Sequence, residues 1–149
     1  MTSSDATSDS TYRVLDANLN RLREALRVIE EYYRFFKNDA EVAVTLKKSR
    51  HSVKQIEAGI GRELLLKGRD TLTDCFADKN RPEELERKTE TDILIASCKR
   101  AQEAARVIEE YTKITAHPEF SEKAKTIRFS LYNVEKLLLG SCSKCRKSV

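Results

Sequence analysis

The six residues Arg27-Val28-Ile29-Glu30-Glu31-Tyr32 return unchanged 79 positions later as Arg106-Val107-Ile108-Glu109-Glu110-Tyr111. Arg21, Glu24 and Ala25 recur at the same distance, as Arg100, Glu103 and Ala104. A second stretch, Arg50-His51-Ser52-Val53-Lys54-Gln55-Ile56-Glu57, aligns 78 positions on with Arg128-Phe129-Ser130-Leu131-Tyr132-Asn133-Val134-Glu135. The repeated unit therefore carries two segments in the same order. An internal repeat of this kind constrains the fold more than any single segment does, because each copy must bury its apolar face against the other.

Both segments read as helices. Leu15, Leu19, Leu22, Leu26, Ile29, Tyr33 and Phe36 follow the alternating four-and-three spacing of one helical stripe. Ala25, Val28, Tyr32 and Phe35 widen that stripe to a bundle face. Val42, Leu46, Val53, Ile56 and Ile60 form a second stripe, ended by Gly59 and Gly61. Thr89 and Asp92 have the spacing of a capping box and open a third helix running to about Thr115. His117-Pro118 breaks the chain before a fourth, from about Pro118 to Leu139. The expected fold is all-α: an antiparallel four-helix bundle built from two duplicated helical hairpins.

The domain plan follows. Residues 1–10 read as a disordered tail, with Ser10 or Thr11 capping the first helix. Residues 11–140 form one helical domain, with repeat halves at about 11–60 and 89–139. Leu64-Leu65-Leu66 closes the core with a turn of helix. A polar loop at 68–81 joins the halves, and Pro82 with Glu83 and Glu84 suggests a short helix start. Residues 141–149 form a basic tail. The net charge of +4 is spread among 24 acidic residues, a mixture that does not favour nucleic acid. No apolar run approaches a membrane span and no secretory signal pattern opens the chain, so the expectation is a cytoplasmic protein.

Several familiar sites are excluded. The chain has no GxxxxGK[ST] phosphate loop and no GxGxxG, and neither His51 nor His117 has a glutamate three residues before it for a di-metal bundle site. Cys142 and Cys145 form a lone pair in the tail, while Cys75 and Cys98 read as packed thiols. The charged face of the repeat is more informative. It could be a solvated side laced by pairs such as Glu30 with Arg34 and Glu109 with Lys113. Packing, however, requires only apolar positions to recur, and here the charged ones recur too. Paired arginines from related hairpins could converge near a pseudo-twofold axis and hold anionic oxygens. Asp16, Asn18 and Asn20 add a polar patch to the first helix, and Arg69, Asp70, Thr71 and Asp74 add a charged loop.

The segments DANLNRLREALRVIEEYYRF, Arg50-His51, Arg69-Asp70-Thr71, KRAQEAARVIEEYTK and IRFSLYNVE resemble one family. It is the small helical hydroxymethylpyrimidine-phosphate kinase, standalone or fused to thiamine-phosphate synthase. The resemblance spans Tyr12 to Leu139. It implies a kinase of thiamine biosynthesis that makes the pyrimidine diphosphate from the monophosphate and ATP, and does not act on the free alcohol. Two departures stand out. The family's loop resembles RDTxGDVGT, whereas Thr73, Cys75 and Phe76 stand here without its glycines, and its second Ala-Asn step is Ala96-Ser97. These departures leave an alternative: a non-catalytic helical dimerisation or regulatory module associated with thiamine-phosphate synthase.

On the kinase reading, Arg69, Asp70 and Asp74 are the catalytic candidates. Asp16, Asn18, Asn20, Arg21, Lys99, Arg100, Arg27 and Arg106 are the candidates for substrate binding, with Arg27 and Arg106 alternatively structural. ATP and Mg2+ are the expected cofactors, Mg2+ on Asp70 and Asp74. The site is expected near the start of the first helix, with the start of the third, and so Ser97, alongside it and the 69–74 loop as a lid. The partners admitted are a small-molecule phosphate, thiamine-phosphate synthase and a second copy of the chain.

Overall fold

The computed structural model describes residues 7–79 and 86–145, with the backbone alone from 139 onward. The segment around Pro82, Glu83 and Glu84, the first six residues and the last four lie outside the described residues. Those described are all-helical, with no strand among them. Five helices follow in order: α1 (Asp9–Glu31), α2 (Ala40–Ile60), α3 (Arg62–Lys67), α4 (Glu90–Thr112) and α5 (Phe120–Cys145). None is long and apolar enough to cross a membrane.

Local chemistry sets the boundaries. Ser8, rather than Ser10 or Thr11, caps α1: its Oγ accepts the Thr11 N–H at 3.2 Å. The helix thus begins inside the segment expected to be a loose tail. Asp39 caps α2 by accepting the Val42 N–H, and Gly61, at φ 102°, ends it where a side chain would be strained. Thr89 and Asp92 form the expected capping box at the head of α4. The last helix starts at Phe120 and continues to Cys145, past the expected end at Leu139 and into the segment expected as a tail.

One departure changes which residues are inside. The first helix does not run evenly to Phe36. A π-helical turn, Tyr32–Phe36, follows α1, and the Lys37 N–H reaches back to the Tyr32 carbonyl at 3.2 Å. A π turn holds one residue more than an α turn and rotates everything after it. Tyr32 and Tyr33 are therefore both buried, while Phe35 and Phe36, expected on the stripe, point outward.

The core otherwise follows the repeat. Leu26, Ile29, Val53, Ile108, Leu131 and Val134 are buried in one cluster with the remaining stripe residues except Val28, which is exposed. The helices within each half run antiparallel: Arg23 of α1 meets Glu57 and Glu30 meets Arg50 on α2, while Gln102 of α4 meets Glu135 and Glu109 meets Arg128 on α5. Helices α1 and α4 also lie antiparallel. The Thr7 hydroxyl, just before α1, donates to the Ile114 carbonyl just after α4. At the other end, Val28 and Tyr32 share a cleft with Ile93 and Leu94. The start of α4 therefore sits beside the end of α1, not beside its start as expected.

Candidate functional site

The antiparallel crossing of α1 and α4 opens a groove of about 680 Å3. One wall is Asn18, Arg21, Glu24, Ala25 and Val28; the other is Ser97, Arg100, Glu103, Ala104 and Val107. Each residue of the second wall lies 79 positions after one of the first, and four of the five pairs are identical. Helical geometry explains the set, because positions 18, 21, 25 and 28 recur on one face at three- and four-residue steps. The alanines keep the floor low and the valines give each end an apolar surface. Arg21, Glu24, Arg100 and Glu103 are exposed and have no ion-pair partner among the described residues.

A second groove, about 640 Å3, lies on the other side of α1. Arg23, Lys54, Arg62 and Arg69 line it, together with Asp16, Asn20, Glu24 and Glu57. Here the cations are partly committed. Arg69 grips Asp16 through two bonds, Nε to Oδ2 and Nη2 to Oδ1, each 2.7 Å. Asp16 is buried, and Asn20 also donates to it at 3.4 Å. Arg23 binds both Glu57 and the Asn20 side-chain oxygen. The second half has no such clasp, for Ile95 stands where Asp16 would recur.

The 68–79 loop is pinned where it leaves α3. A Cβ on Gly68 would stand 2.6 Å from the Asp9 carbonyl oxygen and 3.0 Å from the Arg13 nitrogen, so only glycine lets the loop lie on α1. Arg13 donates to the Asp70 carbonyl at 2.7 Å. The Asp70 side chain faces its own turn, accepting from the Leu72 N–H, the Thr73 N–H and the Thr73 hydroxyl. The Thr73 hydroxyl bond is the main reason its carboxyl is held below the ordinary value. Asp74 accepts the Phe76 N–H. Leu72 and Phe76 are exposed.

The sequence candidates thus fall into three places. Asn18, Arg21 and Arg100, with Ser97, share the first groove; Asp16, Asn20 and Arg69 share the second. Lys99 turns away and pairs with Glu135 at 2.9 Å. Arg27 pairs with Glu31 at 3.3 Å and Arg106 with Glu109 at 3.4 Å, the structural alternative for both. No three carboxylates, histidines or cysteines come together as a metal cluster among the described residues. Asp70 uses both carboxylate oxygens on its own turn, whereas Asp74 uses only Oδ1. Glu24, Glu103, Arg23, Lys54 and Arg62 were not singled out by sequence. For Glu24 and Glu103 the signal was present, since they recur in step with Arg21 and Arg100.

Two glutamates expected on a solvated face are buried. Glu30 accepts from Arg50 at 2.5 and 3.1 Å, and Glu109 accepts from Arg128 at 2.8 and 3.3 Å. They tie the hairpins and do not pair with Arg34 and Lys113, so their recurrence is structural. Burial pushes the Cys98 thiol up to about 11, which removes it as a nucleophile at neutral pH.

The fold and its grooves define an all-helical protein with a cleft between α1 and α4 that two arginines and two glutamates line. The chain belongs to the ThiD2 family, whose model matches residues 13–137. It is similar to the thiamine-phosphate synthase of Nostoc sp. (strain PCC 7120), at 40% identity over 129 residues, covering 87% of this chain and 35% of the relative. The thiamine-phosphate synthase of Thermosynechococcus vestitus is 42% identical over 126 residues, covering 85% and 34%. That of Synechococcus sp. (strain WH7803) is 34% identical over 142 residues, covering 95% and 39%. The chain spans about a third of the length of these curated relatives. No solved structure matches it.

Proposed function

We propose that the chain is a helical unit of thiamine biosynthesis that works beside thiamine-phosphate synthase, and that its α1–α4 groove transfers a phosphoryl group from ATP to hydroxymethylpyrimidine phosphate. The first half of this reading rests on the relatives, whose names support association with the synthase. The second half rests on the resemblance and on one observation: two unpaired arginines, Arg21 and Arg100, line a groove with an alanine floor. We further propose that the fold is two duplicated hairpins about a pseudo-twofold axis between those arginines. The recurrence of the Glu30–Arg50 pair as Glu109–Arg128 supports this.

The chemistry suits so spare a site. A phosphate monoester has its second pKa near 6 and is a ready nucleophile at neutral pH, so no general base is needed. The protein must bring two polyanions into line and offset their charge. Arg21 and Arg100 can do so by bidentate contact with phosphate oxygens. A magnesium ion arriving with the nucleotide would supply further charge neutralisation. Glu24 and Glu103, the unpaired carboxylates of the same groove, would be the residues to hold it, with Asp70 occupied by its own turn. A free alcohol lacks the phosphate that these arginines pair, which accounts for discrimination against it. In this picture Arg69 holds Asp16 and anchors the loop, and reaches phosphate only through its remaining amino group.

A second reading has its own observation. Phe76 stands exposed where the family's loop resembles a glycine, and the names of the relatives speak of the synthase alone. On that reading the chain is a non-catalytic module that binds the synthase. One experiment separates the two. Pure protein is incubated with the pyrimidine monophosphate and Mg-ATP, and the diphosphate is measured; in parallel, its sedimentation is followed with and without added thiamine-phosphate synthase. Diphosphate formation supports the kinase. A complex without diphosphate supports the module.

A further inference from the structure

The groove presents nearly the same wall twice, with Ser97 in place of Asn18, and a transfer between two phosphates is nearly the same at both ends. In the proposed reaction an oxygen of the pyrimidine monophosphate attacks the γ-phosphorus of ATP. One P–O bond forms, the β,γ-bridging P–O bond breaks, and ADP departs with its electron pair. No proton need move when the monophosphate is a dianion. Midway, the transferring phosphoryl group has a phosphate on each side, in line. A twofold rotation through its phosphorus exchanges the attacking phosphate with the leaving one.

We propose that this reaction axis lies on the local axis between Arg21 and Arg100, so that one arginine holds the acceptor phosphate and the other the leaving phosphate. The assignment rests on the kinase reading above and adds a division of labour to it. Four observations carry it. The two arginines are counterparts in the repeat and line one groove. Neither has an ion-pair partner among the described residues, so both guanidinium groups are available. Asn18 and Ser97 set a hydrogen-bonding side chain one turn from each arginine. Val28 and Val107 set an apolar surface two turns further along each wall, where the pyrimidine ring and the adenosine can lie at opposite ends. A single phosphate clamped by both arginines would leave one end of so symmetric a groove without a role.

The test uses the full chain as wild type, Arg21→Ala and Arg100→Ala, with Arg21→Lys and Arg100→Lys as controls that keep the charge. Both positions are exposed, so melting temperatures should stay close to wild type. KM is measured for ATP and for the pyrimidine monophosphate. One alanine variant should raise KM for ATP by about tenfold or more and leave the other KM within about threefold; the second variant should do the reverse. The lysine variants should recover part of each effect. For a variant too slow to assay, calorimetric titration with ADP and with the pyrimidine monophosphate reads the same split. If both variants weaken the same substrate, or neither weakens any, the assignment is overturned while the kinase reading stands. Absence of turnover in the wild type overturns both.

Discussion

At the scale of single residues, the Arg69–Asp16 contact shows how one side chain can be read two ways. As a loop arginine in a charged sequence, Arg69 looks free to bind phosphate; in the fold it covers a buried carboxylate. Arg69→Ala would leave Asp16 without its main donor, and an unsatisfied buried acceptor costs about 1–3 kcal/mol. The expected outcome is a lower melting temperature, and Asp16→Asn with Arg69→Ala should recover part of it. An unchanged melt in Arg69→Ala would return Arg69 to the catalytic candidates. Glu109 carries a pH prediction. Burial alone would raise its carboxyl, but the Arg128 hydrogen bonds and charge, aided by Arg106, bring it below its ordinary value of 4.5. A group held lower in the folded state contributes stability that is complete above that ordinary value and lost as pH falls through the folded one. Melts taken from about pH 7 down to about pH 3 should therefore fall, and Glu109→Gln should start lower and fall less. A parallel acid limb in the variant would remove Glu109 from the cause. Neither partner was legible in the sequence, because Arg50 and Arg128 lie a whole helix away and only tertiary packing brings them in.

At the scale of elements, most of what was readable was local. The capping box at Thr89, the apolar stripes as far as Tyr33 and from Val42 to Ile60, and the glycine stop at Gly61 depend on residues within a turn or two of each other, and all are present. The direction in which α4 crosses α1 was not readable, since a stripe shows which face is buried and not which way its partner runs. Two element-level outcomes can be measured. Leu26→Ala, in the fully buried face of α1, should cost about 2–5 kcal/mol in denaturant unfolding. An unshifted midpoint would contradict the helix register. Gly68→Ala should cost about 1–3 kcal/mol by pressing a methyl group into the backbone of α1, as overpacking does. Because the same contact anchors the loop, trypsin should also cut near Arg69 faster in that variant. Equal cleavage rates would mean that the loop is held by Arg13 and Arg69 alone.

At the scale of the whole molecule, α4 offers its own reporter. Cys98 sits at the middle of α4 with no solvent exposure, and Cys75 is exposed on the loop. Alkylation followed by peptide mapping should label Cys75 at once and Cys98 only as fast as the fold opens, so Cys98 labelling should track global stability across the variants above. Fast labelling of Cys98 in native protein would show that α4 opens separately from the rest. The π turn has a consequence of another kind, for the lengths of the two halves. Glu30 and Arg50 are separated by 20 positions, whereas their counterparts Glu109 and Arg128 are separated by 19. The first half is thus longer by one residue between two contacts that otherwise match. A π turn is how a helix absorbs one inserted residue without unwinding, and only the first half contains one among the described residues. The first connection can accordingly lose a residue and return to an unbroken helical phase, whereas a deletion inside α4 would rotate half of the groove out of line.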